Sequence, residues 1–527
     1  MVPTWARDQA GAWVSALAPV EHLVPESARR WRPLVADALQ FIFCRLSEKR
    51  LAAKFAEQVA LPTDTPPEKR LICLISKMPG LQKIGQVLAR NRRLAPALRI
   101  ELTRLENGMS DVRVEDVRTA IEDQLGPRLA EYQVNLDRGI LSEASVSAVM
   151  RFTWRNPDRE RERGVFKVLK PYVPEYFAED MALLQALGNY LAASNRGYGF
   201  ALRDVDEMLT EVRLLLEREL DFKREQATLV EAARTYRGTL GVRVPRVIGP
   251  LCTAQITAMT EETGVKVTDA FRRSPIRRDR IAAQIVEALI SVPLLSGQDP
   301  STFHADPHAG NLLYDEPNRE LIVLDWALAE QLSLDSRRRL TMLAVMMVLE
   351  NSDGVREAIR GLRKPGVGRR GKDEHIIGRA VEEFFAALPA GGAPGVLDAM
   401  RLLDEIALQG VHFAAPLFLF RKSLFTLNGV LQDITGEEVR MDYAIVRHFL
   451  TRWAASFGLF YSPLGIRDFL MLEWNALLYP ARSLKRRFID RSGRTAPGPT
   501  PNPKKRSRSA EKSRRPTPLP QSSPPAY

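Results

Sequence analysis

The stretch FHADPHAGNLLYDEPNRELIVLDW, residues 303–326, is the most informative part of this sequence. It contains Asp306, then Asn311 five residues later, then Asp325 after a short apolar run. A kinase-type phosphoryl-transfer site uses one aspartate to orient the attacking group, and an asparagine and a second aspartate to hold metal. Asp-Pro and Gly-Asn are also ordinary turn sequences, but a turn does not require an aspartate at the end of an apolar strand. The spacing therefore predicts a phosphoryl-transfer site.

Two short strands are predicted between these polar residues. Leu312–Tyr314 and Leu321–Leu324 are apolar, and Asp315–Arg319 between them has the composition of a turn. We expect the resulting hairpin to present Asn311 and Asp325 to one point in space.

Composition sets the broad class of protein. The chain has 527 residues, of which 45% are hydrophobic and 27% charged, which is enough for a two-lobed domain with extensions. The three cysteines, Cys44, Cys73 and Cys252, lie far apart, which favours a reducing compartment over a disulfide framework. The sequence shows neither an apolar run of 18 residues nor a secretory signal. We expect a cytoplasmic protein, peripheral on a membrane at most.

The positive charge is concentrated at the end of the chain. Residues 482–527 contain 13 lysines and arginines but two acidic residues, so they carry +11 of the formal net charge of +12. From about Ser492 this tail is rich in proline and serine, which predicts disorder. From Ser492 to the end the one aromatic residue is Tyr527, which makes stacking on nucleic-acid bases a poor fit, so we expect attraction to anionic lipid head groups instead.

The N-terminal region is predicted to be helical. A basic helix over Trp31–Phe55 could lie against an anionic membrane surface or pack on the rest of the protein, and the sequence leaves both alternatives open. A break at 61–67 precedes a helical stretch over 72–105. This stretch contains a Lys83-x-Gly85-Gln86 pattern. Glycine costs roughly 1 kcal/mol inside a helix, so we expect Gly85 to allow the close approach of another group.

Alternating apolar residues then predict strands. Val146–Phe152 is the first strand, Asn156–Arg163 a charged turn, and Gly164–Leu169 a second strand that carries Lys167. A lysine in a short apolar run is costly to bury unless an anion meets it, so Lys167 is a candidate phosphate ligand. An edge-strand lysine that faces solvent is the alternative.

Long helices are predicted next, over 173–194 and 203–236. The second helix carries Glu219, Asp221 and Glu225, of which the last two share a helix face. A glutamate on such a helix is the usual partner of the strand lysine in kinases, although solvated helix charge is the simpler explanation for each acid alone. Further predictions are strands over 242–247 and 253–259, a hinge over 259–264, a helix over 280–295, and helices to 487 interrupted at 360–372 and 387–395.

Taken together, the Lys83–Gln86 pattern, Lys167, the acidic residues of the second long helix, HADPHAGN (304–311) and Asp325 resemble the UbiB (AarF) family of atypical kinase-like proteins. The resemblance spans roughly residues 70–335. It implies an α+β, two-lobed protein-kinase-like fold with a helical N-terminal extension and a largely helical C-terminal lobe. The expected regions are 1–66 (helical), 67–125 (the extension with the Lys-x-Gly-Gln pattern), 126–264 (N-lobe), 265–490 (C-lobe) and 491–527 (basic tail).

The resemblance also implies roles for single residues. Asp306 would be the catalytic aspartate, Asn311 and Asp325 would bind Mg²⁺, and Lys167 would bind the phosphates of ATP and pair with Glu225. The loop residues Ala144 and Ser145, and Met259 at the hinge, would line the nucleotide site.

A second set of implied roles concerns the extension. Lys83 would point into the active site and meet the Glu219/Asp221 motif, with Gly85 and Gln86 completing the family pattern. This arrangement disfavours protein substrates.

The sequence departs from the family at several positions. In SEASVSAV (142–149) Ala144 and Ser145 keep the family's alanine-rich loop, whereas Ala148 replaces the usual glutamine. Asp325 is followed by Trp326-Ala327, so the flexible glycine of the usual metal motif is missing. The stretch 92–96 lacks the family's acidic residue, and the chain ends in a basic tail where many bacterial members have membrane-spanning helices.

Three functions remain open on these residues. The first is an ATP- and Mg²⁺-dependent ATPase, or a phosphotransferase for a small or lipid-linked acceptor, that supports isoprenoid quinone metabolism with quinone-biosynthesis proteins as possible partners. The second is a nucleotide-binding scaffold with little turnover, which the altered loop and Trp326-Ala327 suggest. The third is a small-molecule kinase of the aminoglycoside or choline kinase type, against which the Lys-x-Gly-Gln stretch argues.

Overall fold

Within the part of the chain that the structure describes, buried apolar side chains form three clusters: one in the N-terminal helices, one beneath a small sheet and one in the C-terminal lobe. The computed structural model describes residues 4–24, 26–89, 111–158, 160–193, 202–239, 241–272, 274–368, 370–389, 394–437, 440–455 and 463–493. The predicted disordered tail lies almost wholly outside these ranges, as does the stretch 92–96.

The N-terminal region is helical, as predicted. Its helices are α1 (Thr4–Leu17), α2 (Val20–Leu23), α3 (Arg32–Arg45), α4 (Glu48–Val59), α5 (Pro67–Ile75) and α6 (Pro79–Ala89). The predicted basic helix over Trp31–Phe55 is therefore two helices, because Leu46 has an extended ψ of 146° that ends α3. The proline-rich break at 61–67 separates α4 from α5, with Pro67 as the first residue of α5.

The smaller lobe is built on an antiparallel sheet in the order β1-β2-β3-β5. Its elements are α7 (Val114–Leu125), α8 (Pro127–Glu131), β1 (Asn135–Glu143), β2 (Ser147–Arg155), β3 (Arg161–Leu169), α9 (Val173–Ala193), α10 (Leu202–Leu220), α11 (Phe222–Thr235), β4 (Val242–Arg243) and β5 (Ile256–Thr260). In β2 the alternate residues Ala148, Met150 and Phe152 are buried, which is the pattern that predicted this strand.

Two predictions for this lobe need correction. β1 was not predicted, because as an edge strand it buries no alternate residues and so shows no apolar period in its sequence. The predicted helix over 203–236 is broken between α10 and α11. The break lies at Asp221, whose side chain accepts a hydrogen bond from the backbone N–H of Arg224 and so caps α11.

The basic residues of α4 contact the protein. The guanidinium Nη1 of Arg50 lies 2.7 Å from Asp180 Oδ1 in α9, and both side chains are 3% exposed. Lys49 pairs with Glu175, which also lies in α9, at 2.7 Å. Because these cations meet acids of α9, the structure favours packing over the membrane-surface alternative for α4.

The C-terminal lobe holds the segment HADPHAGN (304–311) between short strands and is otherwise mostly helical. Its elements are β6 (Val265–Lys266), α12 (Pro275–Val286), a π-helical turn (Glu287–Ser291), α13 (Val292–Leu294), β7 (Ser301–His304), β8 (Leu312–Asp315), β9 (Glu320–Val323), β10 (Ala329–Leu332), α14 (Leu334–Val348), α15 (Ser352–Leu362), α16 (Arg370–Ala387), α17 (Val396–Leu408), α18 (Ala415–Thr435), α19 (Met441–Ala455) and α20 (Ile466–Gly493). The α+β, two-lobed kinase-like fold is confirmed.

The predicted hairpin is β8–β9. Leu312 pairs with Val323 and Asp315 with Glu320, so the strands differ from the prediction by one residue at their ends. β8 and β9 belong to a sheet in the order β4-β9-β8-β6, and β7 pairs with β10. Among the helices in the described ranges, none is long and apolar enough to cross a membrane.

Candidate active site

His304, the last residue of β7, connects the two halves of the hairpin region. Its side chain is fully buried. Its Nε2 contacts the carbonyl oxygen of Leu324 at 3.0 Å, and its Nδ1 accepts a hydrogen bond from the backbone N–H of Asp306 at 3.2 Å. These two contacts fit the neutral tautomer with the proton on Nε2, and burial lowers the pKa of His304 accordingly. The His304 imidazole therefore holds the backbone at Asp306 and the backbone next to Asp325.

The hairpin brings Asn311 to the strand that ends at Asp325. The N–H of Leu324 donates to the carbonyl oxygen of Asn311 at 2.9 Å. The Asn311 amide nitrogen donates to the carbonyl oxygen of Asp306 at 3.3 Å, which leaves its amide oxygen as the acceptor for a cation. Asp325 has a left-handed φ of 52°, a conformation that aspartate and asparagine adopt more readily than most residues.

Lys167 lies between two carboxylates. Its Nζ is 2.6 Å from Glu225 Oε1 in the first turn of α11 and 3.1 Å from Asp325 Oδ1. The Lys167 side chain is 12% exposed and that of Glu225 is 3% exposed, whereas that of Asp325 is 45% exposed. The structure thus places a strand lysine, a helix glutamate and the strand-end aspartate within direct contact.

The pKa values of this triad reflect burial and charge together. Burial alone would raise the pKa of Asp325, but the ammonium of Lys167 outweighs it and lowers that pKa to about 2. Burial likewise opposes the charged form of Lys167, but Asp325 and Glu225 together raise its pKa. For Glu225 burial dominates and raises the pKa, although Lys167 acts in the opposite direction. At neutral pH Asp325 is therefore an anion held beside a cation.

The extension contributes a second lysine–glutamate pair. Lys83 of α6 forms an ion pair with Glu219 of α10. The other carboxylate oxygen of Glu219 accepts a hydrogen bond from Ser145 Oγ at 3.4 Å. Glu219 therefore links the extension to the alanine-rich loop between β1 and β2.

The remaining predicted residues occupy different places. Asp221 caps α11, because its side chain accepts a hydrogen bond from the backbone N–H of Arg224 and its carbonyl oxygen accepts one from the N–H of Glu225 at 3.0 Å. Ala144 closes the β1–β2 turn through its N–H bond to the carbonyl oxygen of Ser147 at 2.8 Å. Met259 lies in β5 opposite Val165. Gly85 is buried in α6, and the side chain of Gln86 lies outside the described residues.

Two residues that were not predicted belong to this site. Lys422 Nζ of α18 lies 3.6 Å from Asp306 Oδ1. Its neighbour Ser423 is fully buried and donates a hydrogen bond to the carbonyl oxygen of His304 at 2.8 Å. Both lie more than 100 residues after residues 304–311 and belong to no pattern that we identified, so they could not be predicted from the sequence.

The donor set suits a hard divalent cation. An amide oxygen from Asn311 and a carboxylate from Asp325 are both oxygen ligands, and Mg²⁺ is usually held by one or two such groups together with water and phosphate oxygens. In the described ranges there is no group of three or more His, Cys, Asp or Glu residues that could hold a metal.

Fold and site together are protein-kinase-like: a strand lysine pairs with a helix glutamate, and a loop aspartate and asparagine precede a strand-end aspartate. Residues 104–359 match the ABC1 atypical kinase-like domain. This match and the similarity to UbiB kinase homologues support membership of the UbiB/AarF family of atypical kinase-like proteins.

Known proteins resemble this chain at moderate identity. Protein sll1770 of Synechocystis, described as uncharacterised, is 27% identical over 59% of this chain and 51% of its own length. A probable protein kinase UbiB of Xylella fastidiosa (strain Temecula1) is 26% identical over 74% of this chain and 70% of its own length. The solved complex of Rv3197 with erythromycin, from Mycobacterium tuberculosis, is 17% identical in sequence. The match covers 76% of this chain and 97% of that chain, with a TM-score of 0.45. The chain spans about half or less of the length of the first four curated relatives.

Proposed function

We propose that this protein binds ATP with Mg²⁺ and transfers the terminal phosphoryl group to water or to a small or lipid-linked acceptor. The observation that carries the proposal is the contact of Lys167 with both Glu225 and Asp325, at 2.6 and 3.1 Å. Kinases need the strand lysine–helix glutamate pair and the metal-binding aspartate in place at the same time. This arrangement supports a site that is ready for nucleotide.

Four residues of the site would have separate roles in phosphoryl transfer. Lys167 would hold phosphate oxygens, and Asn311 with Asp325 would hold Mg²⁺, which supplies charge stabilisation to the transferred group. Asp306 would accept the proton of the attacking hydroxyl or water. Its position is fixed by the hydrogen bond from its N–H to His304, so that it needs little rearrangement to act.

The acceptor is proposed to be small or membrane-associated. The Lys83–Glu219 ion pair holds α6 beside the loop that carries Ser145. The family resemblance implies that this extension covers the side where a protein kinase would admit a peptide acceptor. Isoprenoid quinone metabolism, with quinone-biosynthesis proteins as partners, is the proposed setting. It is supported by the family resemblance, since relatives are described as probable UbiB protein kinases.

The decisive experiment measures Mg²⁺-dependent phosphate release from ATP by the full chain and by Asp325→Asn. Asparagine keeps the left-handed backbone accessible but removes the anionic metal ligand, so turnover is expected to fall by at least a hundredfold. Asp353→Asn, which alters an aspartate whose side chain is 86% exposed in α15, is the matched control. Equal turnover in the wild type and Asp325→Asn would contradict the proposed site.

A nucleotide-binding scaffold with little turnover is the second candidate. Trp326, which follows Asp325, is 1% exposed and donates from its indole N–H to the carbonyl oxygen of Val323 at 3.1 Å. With Ala327 in place of glycine, the segment after Asp325 has less backbone freedom than a glycine would give it. Nucleotide that raises the unfolding temperature of the wild type, without phosphate release, would favour this candidate.

An anionic membrane surface is the proposed partner of α20. Asp468 of this helix pairs inward with Arg338 at 2.6 Å. The outward face carries apolar side chains that are 62–74% exposed, at helical spacing: Ile466, Leu470, Trp474 and Leu477. The later part of the same helix is basic in sequence, from Arg482 onward. An apolar face next to basic residues is typical of helices that lie in an anionic interface.

Co-sedimentation with vesicles of phosphatidylcholine and phosphatidylglycerol tests this partner. Leu470→Gln/Leu477→Gln is expected to lower the bound fraction several-fold, because about 0.8 kcal/mol is lost for each CH₂ group no longer buried in lipid. Leu408→Gln, at an 89% exposed position of α17, is the matched control. Removal of 482–527 is expected to weaken binding further and to leave ATP binding intact. Unchanged sedimentation of both variants would exclude this surface.

A further inference from the structure

Helix α18 places a cation at the catalytic aspartate. Lys422 Nζ lies 3.6 Å from Asp306 Oδ1, with the two side chains 31% and 14% exposed. The next residue, Ser423, is fully buried, and its hydroxyl donates to the carbonyl oxygen of His304 at 2.8 Å. Leu424 is fully buried as well. Lys422 therefore extends from a rigid part of the lobe, anchored two residues from Asp306 in the catalytic loop.

The position of Lys422 differs from that of the other site cation. Lys167 contacts Asp325 and Glu225, on the side where the metal and the inner phosphates would bind. Asp306 marks the opposite side, because the group that attacks the terminal phosphoryl must be held by this carboxylate, in line with the leaving oxygen. A lysine beside Asp306 is therefore closest to the terminal phosphoryl group.

Charge explains what such a lysine can do. The transferred phosphoryl group spreads negative charge over its three outer oxygens, and fixed cations aimed at that charge lower the barrier. Lys422 also reduces the repulsion between the Asp306 carboxylate and an incoming phosphate. A flexible ammonium group can reach either anion, since it acts as a point charge on a long stem.

We propose that Lys422 binds the terminal phosphoryl group of the nucleotide and so makes the site selective for a nucleoside triphosphate over a diphosphate. This inference rests on the proposed ATP site and adds a ligand to it. Lys422 lies outside residues 104–359, the part that matches the kinase-like domain.

A purely structural ion pair is the competing explanation. In that case Lys422 would orient Asp306, and its loss would alter the fold or affect all nucleotides alike. Selective loss of triphosphate affinity distinguishes the two, because a diphosphate has no group that reaches Lys422. The measurement needs no turnover.

The experiment compares the Kd values of Mg²⁺·ADP and Mg²⁺·β,γ-methylene-ATP by calorimetry on the full chain. In Lys422→Met the triphosphate analogue is expected to bind about tenfold more weakly, the effect of one lost charge-assisted hydrogen bond. ADP is expected to bind within about twofold of the wild type. Lys422→Arg, which keeps the charge, should recover most of the loss.

Arg421→Met is the matched control on the same helix. Arg421 pairs with Asp404 of α17, so its loss removes one positive charge from the same helix without touching Asp306. It is expected to leave the ratio of the two affinities unchanged. A similar change of that ratio in Arg421→Met would show a general electrostatic effect and overturn the proposal.

The outcomes separate this inference from the proposed function. If neither ligand binds the wild type, the proposed ATP site fails. If both bind and Lys422→Met weakens them equally, or weakens neither, the ATP site stands and the role of Lys422 is wrong. In an Asp306→Asn background the selective loss should persist, because the contact is with phosphate. Its disappearance would assign Lys422 a role through Asp306 alone and overturn the proposal.

Discussion

The molecule contains two lysine–glutamate pairs of the same chemistry on opposite sides of one helix break. Lys83 of the extension pairs with Glu219 before the break, and Lys167 of the sheet pairs with Glu225 after it. The two lysines are similarly buried, at 13% and 12% exposed, whereas Glu219 is 15% exposed and Glu225 only 3%. The pairs differ in what surrounds them rather than in the residues that form them.

The surroundings give each pair a different capacity. Glu219 also accepts a hydrogen bond from Ser145, so this carboxylate is satisfied by protein groups on both oxygens. Lys167 instead meets a second carboxylate, Asp325, which is 45% exposed. One cation and two anions leave a net negative charge that a metal ion can neutralise. The comparison indicates that the Lys83–Glu219 pair has a structural role (the closed pair), whereas the Lys167 site still exposes a carboxylate to which a ligand could bind (the open site).

The largest effect is expected at the open site. Lys167→Met removes the cation beside the nearly buried Glu225, which should lower the free energy of unfolding by about 3 kcal/mol, as for a broken buried ion pair. Nucleotide stabilisation should disappear as well. Urea unfolding with and without Mg²⁺·ATP measures both effects.

Adding Glu225→Gln to Lys167→Met is the control for this prediction. The double variant should recover most of the stability, because no buried charge is left without its partner, but it should not recover nucleotide binding. Recovery of both properties would mean that Lys167 has no role beyond the ion pair.

An intermediate effect is expected on the pKa of Asp325. Lys167 holds this pKa at about 2 against the opposing effect of burial. The contribution of Asp325 to stability is therefore complete above its unfolded pKa of about 4 and is lost as the pH falls toward 2. In Lys167→Met the pKa should rise above 4, which carboxyl NMR titration of the variant would detect. Lys83→Met should leave it unchanged, and an equal shift in both variants would remove the distinction between the pairs.

The smallest effect is expected at the closed pair. Lys83→Met should lower the free energy of unfolding by about 1 kcal/mol, since the pair is partly exposed and Glu219 keeps its bond from Ser145. ATP binding should be retained within about twofold. A double-mutant cycle with Glu219→Gln measures the coupling. Loss of nucleotide binding in Lys83→Met would mean that the extension belongs to the open site.

The sequence predicted the elements whose signal is local. The β8–β9 hairpin followed from two apolar runs around a turn, and β2 followed from alternating buried residues such as Met150 and Phe152. The polar residues of the hairpin region were recognisable because phosphoryl transfer requires them at fixed spacing. Their roles stay predictions until the experiments above are made.

Features that depend on distant contacts could not be predicted. Lys422 and Ser423 reach Asp306 and His304 from α18, and a lysine–serine pair in a helix has no distinctive spacing. β1 is an exposed edge strand, whose sequence lacks the alternation by which strands are recognised. The break at Asp221 was missed because a charged residue in a charged helical stretch is equally compatible with an unbroken helix.

The helix break at Asp221 also determines how Glu219 and Glu225 are oriented relative to each other. An α-helix turns about 100° per residue, so in one unbroken helix Glu219 and Glu225 would point about 120° apart around the axis. The capped break at Asp221 allows a single segment to supply both glutamates to neighbouring lysines. One residue inserted just before Asp221 would rotate Glu219 away from Lys83 while α11 kept its own contacts. The alignment of the Lys83–Glu219 pair with the Lys167–Glu225 pair is thus set at one position of the chain.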